Sequence, residues 1–531
     1  MCSSIAYKAT HIPRNCMRLV SLKLLRLSVR QAGIRTFSMS HTVPQLKDKS
    51  LFIGKCHING EWVGAQSGKT FEVTDPATDK VIGTCPEFSA KDTVRAIKAA
   101  SDAFPVFRKT LVRERSRLLR RWNDLILQNL DDLATLITWE NGKPFAEAQG
   151  EVKYAAAFIE WFSEEAPRLY ADTIPTSVPG NRVLTVKEPV GVCGLITPWN
   201  FPAAMITRKI GPALAAGCTV VAKSPGETPF TANALAELAL RAGIPKGVVN
   251  IVTALENTSE VGHTLTTHPD IKKVSFTGST RVGKLLMEQA SSSVKRVSWE
   301  LGGNAPFIVF DDVEDIDIAV AGALVSKFRG TGQTCVCANR IYIHRSHYKA
   351  FAKRLVERIK NFNVGPGFAE GVTHGPLIHR AAAQKVADHV ADAKSKGARV
   401  LLGGSPINEL GPTFFQPTVL ADMTHDMRIA DEETFGPIAA LFPFDTEEEV
   451  VQLANRCEVG LAAYIFSDNI RRVFRVADVL EVGMVGVNTG SVSDVAAPFG
   501  GVKESGFGRE GSKYGIEEFL NVKSITLGGI F

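Results

Sequence analysis

Two cysteines, Cys335 and Cys337, lie in a short segment that begins at Gly332 and reads GQTCVC. A nucleophilic thiol needs access, little steric cover and nearby backbone amides, which a glycine-flanked segment provides. On this feature alone, a small buried cysteine is the more common alternative. Zinc binding is disfavoured, because Cys-x-Cys followed by His344 and His347 lacks the usual spacing of zinc ligands.

A candidate general base, Glu300, stands between Trp299 and Leu301 and directly before two glycines. Apolar neighbours raise the pKa of a carboxyl group, as the activation of water requires. Taken alone, the residue is explained equally well as a partly exposed carboxylate at a strand end.

Two further segments are suited to holding a phosphate group. Ser279 lies between Gly278 and Gly283, where a predicted strand is followed by a helix whose N-terminus attracts negative charge. The glycine spacing departs from the dinucleotide fingerprint, so this segment is ambiguous by itself. Lys223 ends another predicted strand, where open α/β sheets bind ligands, with a solvated surface lysine as the alternative.

From about Gly191 to Glu300, short segments rich in β-branched residues alternate with segments of helical pattern. These elements must position several of the residues named above. Strands are predicted over 192–196, 219–222, 248–252, 273–276 and 294–299, and crossover helices over 203–216, 230–242, 261–267 and 281–290. This alternation predicts a parallel, doubly wound sheet.

The rest of the chain is also predicted to contain both helices and strands. Residues 90–163 are mostly amphipathic helix, and 170–190 form an extended hairpin that turns at 179–181. A second α/β pattern begins near Leu301, with strands over 306–310, 341–344, 400–402 and 438–442 and helices over 348–362 and 381–396. A glycine-rich tail from Ala496 ends in a short strand near 524–527.

Length and composition are those of a globular protein with two or three packed units, since the chain has 531 residues, of which 45% are apolar and 22% charged. No apolar stretch reaches the ~18 residues that a membrane span needs, so no transmembrane helix is predicted. The nine cysteines, an odd number, fit free thiols in a reducing compartment.

The formal net charge of +6 is concentrated in residues 1–37, which contain seven basic and no acidic residues. The remainder is nearly neutral, so neither nucleic-acid binding nor membrane binding is predicted. An arginine-rich start with leucines at helical spacing has the composition of a transit peptide to the mitochondrial matrix. A disordered basic tail is the alternative, and initiation at Met39 would give a cytosolic form.

From about residue 55 to its end, the chain resembles the aldehyde dehydrogenase superfamily. Five motifs in the expected order carry the resemblance, namely Pro198-Trp199-Asn200-Phe201-Pro202, Phe276-Thr277-Gly278-Ser279-Thr280, Trp299-Glu300-Leu301-Gly302-Gly303, Phe328-x-x-x-Gly332-Gln333-x-Cys335 and Glu432-Glu433-Thr434-Phe435-Gly436-Pro437. The resemblance implies an α/β fold with a doubly wound cofactor domain, a second α/β catalytic domain and a β-hairpin oligomerisation arm.

The resemblance also implies a role for each motif residue. Cys335 would be the nucleophile, Glu300 the base that activates water for deacylation, and Asn200 would form the oxyanion hole with the Cys335 backbone N–H. The cofactor, NAD or NADP, would be bound by residues from several motifs, which are Trp199, Lys223, Gly226, Gly278, Ser279, Gly283, Glu433 and Phe435. No metal site is implied.

Within the superfamily the chain is most similar to succinate-semialdehyde dehydrogenases of 4-aminobutyrate breakdown, through residues 335–340 and 498–515. The remote carboxylate of that substrate requires fixed cations, and Arg208, Arg329 and Ser493 match the family's carboxylate contacts. Glutarate semialdehyde is an alternative substrate, because one methylene is worth only ~1–3 kcal/mol of discrimination. A non-catalytic binding protein of the same fold is disfavoured, because nucleophile, base and oxyanion residue are all present.

Two features of the chain modify this expectation. Gly226 stands where NAD-preferring relatives often carry a glutamate that repels a 2′-phosphate, so we expect NADP to be tolerated as well as NAD. Cys337 lies two residues from Cys335, which allows a reversible disulfide that switches the enzyme off. The alternative is that Cys337 is an unreactive neighbour.

The expected organisation follows from these inferences. Residues 1–37 form the transit peptide, 50–169 and 191–300 the dinucleotide-binding domain, and 301–495 the catalytic domain. The segments 170–190 and 515–531 form the arm of a homo-oligomer, either a dimer or a tetramer. The expected small-molecule partner is an aldehyde, with no nucleic acid and no membrane.

Overall fold

A computed structural model of the protein describes residues 45–529. The predicted transit peptide over 1–37 and Met39 lie outside the described residues, as do the last two positions of the predicted arm. No helix within 45–529 combines the length and apolar character that a bilayer crossing needs. In that same part of the chain, no three His, Cys, Asp or Glu side chains cluster in a way that could hold a metal ion.

The first part of the described chain supplies most of one large sheet and its covering helices. Its strands are β1 (Cys56–Ile58), β2 (Glu61–Val63), β3 (Thr70–Asp75), β4 (Lys80–Pro86), β5 (Thr173–Ile174), β6 (Arg182–Pro189), β7 (Val192–Ile196), β8 (Thr219–Lys223), β9 (Val249–Val252), β10 (Ile271–Thr277) and β11 (Arg296–Glu300). Its helices are α1 (Ala90–Phe107), α2 (Val112–Gln128), α3 (Leu130–Asn141), α4 (Phe145–Glu165), α5 (Ala204–Ala216), α6 (Pro229–Arg241), α7 (Thr258–Thr267) and α8 (Thr280–Ala290).

The second part supplies another sheet and the tail. Its strands are β12 (Ala305–Val309), β13 (Ala338–His344), β14 (Arg399–Leu402), β15 (Thr418–Ala421), β16 (Ile438–Phe444), β17 (Val459–Gly460), β18 (Ala462–Phe466), β19 (Met484–Val487), β20 (Val502–Lys503), β21 (Gly506–Phe507) and β22 (Leu520–Leu527). Its helices are α9 (Ile316–Phe328), α10 (Arg345–Ile359), α11 (Arg380–Ser395), α12 (Glu447–Asn455), α13 (Ile470–Val479) and α14 (Ser512–Glu517).

The first sheet has the strand order β2-β1-β9-β8-β7-β10-β11-β21. Strands β7 to β11 pair in parallel, so the predicted doubly wound sheet is confirmed. The order reverses between β7 and β10, and ligands of open α/β sheets bind at such a switch point, beyond the carboxyl ends of the strands. The segments that leave these two ends begin at Thr197 and Gly278.

Local sequence explains where the helices of this sheet begin and end. Helix α1 starts with a capping box, in which Ser89 and Asp92 each accept a hydrogen bond from the other's backbone N–H. Helix α5 ends at Gly217, whose φ of 96° is left-handed. Helix α8 starts beside the switch point, where the Ser279 hydroxyl oxygen accepts a hydrogen bond from the Val282 N–H.

The second sheet has the order β14-β15-β16-β13-β12-β18-β19. Its neighbouring strands are parallel except for β14, which runs antiparallel to β15. Helix α9 connects β12 to β13 and brings the chain to Cys335, which lies just before β13. Cys335 is thus at the amino edge of the second sheet, whereas Glu300 is at the carboxyl end of β11 in the first.

A third sheet joins the predicted hairpin to the C-terminal segment. Strands β5 and β6 pair antiparallel, which confirms the hairpin, although β5 has only 2 residues. Strand β22 pairs with β6 along its whole length, from Leu520 opposite Pro189 to Leu527 opposite Arg182. Most side chains of β22 are exposed, so the sheet stands out from the body of the protein.

Candidate active site

Cys335 follows a strained turn at the end of α9. In the 3-10 turn Arg329–Gly332, the φ angles of Gly330, Thr331 and Gly332 are 60°, 56° and 78°. A β-branched residue rarely adopts the left-handed region, so Thr331 is held there by its surroundings. Glu147 of α4 contributes to this, because its Oε1 accepts the Gly330 N–H at 2.7 Å.

Two glycines let other segments touch this turn backbone to backbone. A Cβ at Gly303 would lie 2.2 Å from the carbonyl oxygen of Cys335, and a Cβ at Gly332 would lie 2.2 Å from that of Gly436. Both distances are far below van der Waals contact, so only glycine fits at either position. Three motifs that are far apart in sequence therefore meet at one point.

The Cys335 thiol is partly buried and protonated at neutral pH. Burial, together with the charge of Glu433, raises the pKa of Cys335 to about 12, although Arg208 opposes the shift. Cys337 is enclosed more completely, and its Sγ lies 3.4 Å from the carbonyl oxygen of Gly332, to which it donates a hydrogen bond. The two thiols therefore have different surroundings, one partly exposed and one buried.

Asn200 reaches the cysteine turn from the loop after β7. Its side chain is buried, and its Nδ2 donates to the carbonyl oxygen of Gln333 at 3.0 Å. Its Oδ1 has no hydrogen-bond partner among residues 45–529. Because an amide carries two N–H groups, one is available to an oxyanion formed near Cys335.

Glu300 is buried at the end of β11, and no residue between 45 and 529 donates a hydrogen bond to its carboxylate. Burial raises the pKa of Glu300 well above its usual range, and the charge of Glu510 adds to the shift while Arg208 and Lys209 oppose it. A buried, unpaired carboxyl group with a raised pKa has the properties of a general base for water.

An ion cluster lies near Glu300. Glu510 of the tail forms ion pairs with both Arg208 and Lys209 of α5, and all three side chains are buried. The Arg208 guanidinium carbon lies 4.1 Å from the centroid of the Phe499 ring. Arg208 is therefore already paired with an acid. Its Nη2 atom has no hydrogen-bond partner among residues 45–529.

Arg329 and Ser493 line one small cavity of about 20 Å³ beside the cysteine turn, together with Thr334 and Tyr464. The Arg329 guanidinium carbon lies 4.8 Å from the centroid of the Phe201 ring. The structure thus brings together two of the three residues predicted to contact the substrate carboxylate.

Tyr154 of α4 packs against an aromatic ring that borders the ion cluster. Its ring centroid lies 4.8 Å from that of Phe158, and the Phe158 centroid lies 5.5 Å from the Arg208 guanidinium carbon. Burial raises the pKa of the Tyr154 phenol, while the charges of Arg208 and Arg329 lower it.

On the cofactor side, Lys223 ends β8 in a buried position, and burial lowers its pKa to about 8. Ser224 and Thr228 have buried hydroxyl groups without a partner in the described part of the chain. At Gly226, an added Cβ would lie 2.7 Å from Cδ1 of Leu255. Leu255 therefore occupies the direction in which a side chain at position 226 would extend.

The segment after β10 forms the start of α8. The Gly278 N–H donates to the carbonyl oxygen of Glu300 at 3.0 Å, and Ser279 caps the helix. Gly283 lies one turn further on, where an added Cβ would be 2.5 Å from Leu301, so its smallness permits close packing of the helix. The free N–H groups of the first turn are the part suited to a phosphate.

The remaining predicted cofactor residues form a second group. Trp199 and Phe435 meet edge to face, with 5.6 Å between their ring centroids. Glu433 accepts the Gly303 N–H at 3.3 Å, and burial raises its pKa to about 7. Unpaired buried hydroxyl groups, a helix N-terminus and a carboxylate beside aromatic rings fit the sugars, phosphates and rings of a dinucleotide.

Comparison with known proteins agrees with this geometry. The sequence model of the aldehyde dehydrogenase family matches residues 62–525. The chain belongs to the aldehyde dehydrogenase family. The predicted fold is confirmed by the crystal structure of succinate-semialdehyde dehydrogenase from Burkholderia pseudomallei, with a TM-score of 0.90 and 54% identity over 91% of this chain and 100% of that one.

Two curated members of the aldehyde dehydrogenase family are also similar to the chain. An NADP(+)-linked succinate-semialdehyde dehydrogenase of Schizosaccharomyces pombe is 57% identical over 487 residues, which cover 91% of this chain and 97% of that protein. The glutarate-semialdehyde dehydrogenase of Pseudomonas aeruginosa is 54% identical over 486 residues, which cover 92% and 100%.

Sequence reasoning missed the residues by which α4 supports this aldehyde dehydrogenase site. Glu147, Glu151, Tyr154 and Phe158 recur at intervals of three or four residues, which places them on one face of the helix. Phe158 lies 5.5 Å from the Arg208 guanidinium carbon, measured to the ring centroid. The helical spacing of two acids and two aromatic residues is the signal that could have found this face.

The protonated state of Cys335 leads to a first prediction. In the cofactor-free enzyme, we expect its alkylation by iodoacetamide to accelerate about tenfold per pH unit from about pH 7 to about pH 9.5, because the thiolate fraction rises tenfold per unit below the pKa. Mass spectrometry would identify the labelled residue, with Cys335→Ser as the control. A rate that levels off below about pH 8.5 would contradict this pKa.

Proposed function

We propose that the protein oxidises succinate semialdehyde to succinate with NADP or NAD. The observation that carries the proposal is the cavity of Arg329 and Ser493 beside the Cys335 turn, with Arg208 near the same thiol. Fixed cations and a hydroxyl group suit a carboxylate at the far end of an aldehyde substrate. The activities named for the relatives from S. pombe and B. pseudomallei support the same substrate.

In this proposal Cys335 attacks the aldehyde carbon. Its thiol must first transfer a proton to water, because the thiolate is the nucleophilic form, and the charge of Arg208 favours that form. The attack turns the carbonyl oxygen into an oxyanion. The amide of Asn200 and the backbone N–H of Cys335 stabilise this charge.

The cofactor would be held by the residues that surround the switch point. Lys223 and the hydroxyl groups after β8 suit the ribose, the start of α8 suits the phosphates, and Glu433 with Phe435 suits the nicotinamide end. When bound, the nicotinamide supplies the acceptor for the hydride that leaves the substrate carbon.

Glu300 is proposed as the base for the second half of the reaction. Oxidation leaves the acyl group on Cys335 as a thioester, and Glu300 takes a proton from the water that attacks it. The C–S bond then breaks, which releases the Cys335 thiolate and the carboxylic acid, and the acid ionises by giving its proton to solvent. Burial without a partner keeps Glu300 a strong enough base for this step.

Glutarate semialdehyde is a second candidate substrate. The P. aeruginosa relative is named for it, and its similarity to this chain is close to that of the succinate-semialdehyde dehydrogenases. The two substrates differ by one methylene, which a pocket discriminates by only ~1–3 kcal/mol.

Steady-state rates with succinate semialdehyde, glutarate semialdehyde and butanal, each with NAD and NADP, test the function. We expect kcat/KM for succinate semialdehyde to exceed that for butanal by about tenfold or more, because only the former offers a carboxylate to the arginines. A higher value for glutarate semialdehyde would select the second candidate. Equal values for butanal would show that the carboxylate is not recognised.

Replacement of Arg329 tests the carboxylate site directly. We expect Arg329→Leu to raise KM for succinate semialdehyde by about 10- to 100-fold, because a charge-assisted hydrogen bond is lost, while kcat/KM for butanal stays unchanged. Lys353→Leu, which removes an exposed cation from α10, is the control. Equal losses with both aldehydes would indicate damage to the cysteine turn instead of lost recognition.

Cofactor use leads to a further prediction at Gly226. We expect Gly226→Glu to lower kcat/KM for NADP about tenfold relative to NAD, because a carboxylate repels the 2′-phosphate. Gly226→Gln is the matched control, since it displaces Leu255 equally but carries no charge. The same NADP-to-NAD ratio in both variants would contradict a role for charge at this position.

We also propose a homo-oligomer, a dimer or a tetramer, formed through the arm of residues 170–190 and 515–531. The described strands of the arm expose apolar side chains, including Val522 at 66% and Ile174 at 43%. We retain the division into a dinucleotide-binding domain (50–169 and 191–300) and a catalytic domain (301–495) as part of this proposal. Membership in a family with a shared fold supports it.

We also propose a cellular location and a redox response for the protein. Residues 1–37 direct the protein to the mitochondrial matrix, and initiation at Met39 would give a cytosolic form, as their basic, acid-free composition suggests. A reversible Cys335–Cys337 disulfide inactivates the enzyme. To form it, Cys337 must give up its hydrogen bonds to the carbonyl oxygens of Lys327 and Gly332.

A further inference from the structure

The loop that carries Asn200 is held by side chains from outside it. The carbonyl oxygen of Trp199 accepts a hydrogen bond from Asn141 Nδ2 at 3.0 Å. The carbonyl oxygen of Asn200 accepts one from Lys143 Nζ at 2.9 Å. Because buried backbone groups need partners, these two donors determine where the backbone of the loop lies.

Glu151 of α4 holds the other end of the same loop. Its Oε1 accepts the N–H groups of Ala203 and Ala204 at 2.9 and 3.4 Å, at the start of α5. Its Oε2 accepts Lys143 Nζ at 2.5 Å. The Lys143–Glu151 ion pair thus connects the backbone of Asn200 with the helix that carries Arg208.

This ion pair is almost completely enclosed. The side chains of Lys143 and Glu151 are 3% and 1% exposed. Taking two charges out of water is costly, and their mutual attraction often does no more than compensate for it. Stability is therefore a weak explanation for the pair, whereas its three hydrogen bonds to one loop indicate that it fixes the geometry of that loop.

We propose that Lys143 and Glu151 are positioning residues for the oxyanion site. They fix the backbone of residues 199–204 so that the Asn200 amide stays directed at the cysteine turn, where Nδ2 already contacts the carbonyl oxygen of Gln333. This inference rests on the role proposed above for Asn200. Both side chains are almost completely enclosed and contact the backbone of the loop, so they act mainly through the position of Asn200.

Lys143 also contacts the substrate side of the loop. Its Nζ lies 4.1 Å from the centroid of the Phe201 ring, and the Arg329 guanidinium carbon lies 4.8 Å from the same centroid. Loss of Lys143 is therefore expected to act mainly on kcat through Asn200, with a smaller effect on KM through Phe201 and Arg329.

A double-mutant cycle separates positioning from a merely structural role. The variants are Lys143→Met, Asn200→Ala and the combination of the two, with Lys153→Met on the exposed face of α4 as the matched control. We expect Asn200→Ala to lower kcat about 100-fold or more, as loss of an oxyanion donor does. We expect Lys143→Met alone to lower kcat about 10- to 100-fold through misplacement of that donor.

The combined variant gives the decisive result. If Lys143 acts through Asn200, adding Lys143→Met to Asn200→Ala changes kcat by less than about twofold. Equal factors of loss in both backgrounds would overturn the proposal, and so would an unchanged kcat for Asn200→Ala. The dissociation constant for NADPH, measured by fluorescence titration, is expected to stay the same in every variant.

A second set of variants controls for misfolding caused by a buried, uncompensated charge. Lys143→Met leaves the Glu151 charge buried without its cation. The cycle is therefore repeated with Lys143→Met/Glu151→Gln, which removes both charges and keeps an acceptor for the Ala203 N–H. The expected pattern is the same, because the donor to the Asn200 carbonyl oxygen is still missing. Restoration of full kcat in this variant would overturn the proposal.

Failure of the proposed function is detected separately. Acylation of Cys335 by p-nitrophenyl acetate, followed through release of p-nitrophenolate, passes through an oxyanion at the same site and needs neither cofactor nor semialdehyde. If succinate semialdehyde is not oxidised by the unmodified enzyme but the cycle holds for this ester, the substrate assignment fails and the positioning role stands. If oxidation occurs but the cycle is additive in both assays, only the positioning role fails.

Discussion

The site depends on backbone contacts that leave no room for a side chain. The Cα of Gly303 lies against the carbonyl oxygen of Cys335, and that of Gly332 lies against the carbonyl oxygen of Gly436. These two contacts bring three segments together. They are the segment after β11 at the carboxyl edge of the first sheet, the turn before β13 at the amino edge of the second sheet, and the loop before β16. A shift of any one of the three would move the Cys335 thiol relative to Glu300 and Asn200.

The enclosure produced by these contacts sets the electrostatics of the site. Removal from water makes Cys335 and Glu300 weaker acids than they are in solution, so both carry a proton more readily at neutral pH. The cations of α5 limit this effect, because Arg208 lowers the pKa of both groups and Lys209 lowers that of Glu300. Both cations are themselves balanced by Glu510. The charge balance of the site therefore includes a residue of the C-terminal tail.

Much of the fold was predictable because local signals agree with the tertiary structure. The parallel strands β7 to β11 have ends within about two residues of prediction, since β-branched segments alternate with helices there. Strands β15 and β18 were missed, because short buried apolar segments lack an alternating pattern. The catalytic motifs were found from resemblance, whereas the pairing of Arg208 with Glu510 joins distant segments and has no local signal.

The tail has a consequence for the order in which the chain folds. The contact between Lys209 and Glu510 spans 301 residues, and β22 pairs with β6 across a similar distance. During synthesis from the N-terminus, the parallel strands of the first sheet emerge long before β21 covers the edge of β11 or Glu510 neutralises the cations of α5. The nascent chain therefore exposes an open strand edge and two uncompensated charges until the segment with β21 and Glu510 is made. The N-terminal sheet cannot reach its final charge balance without this segment.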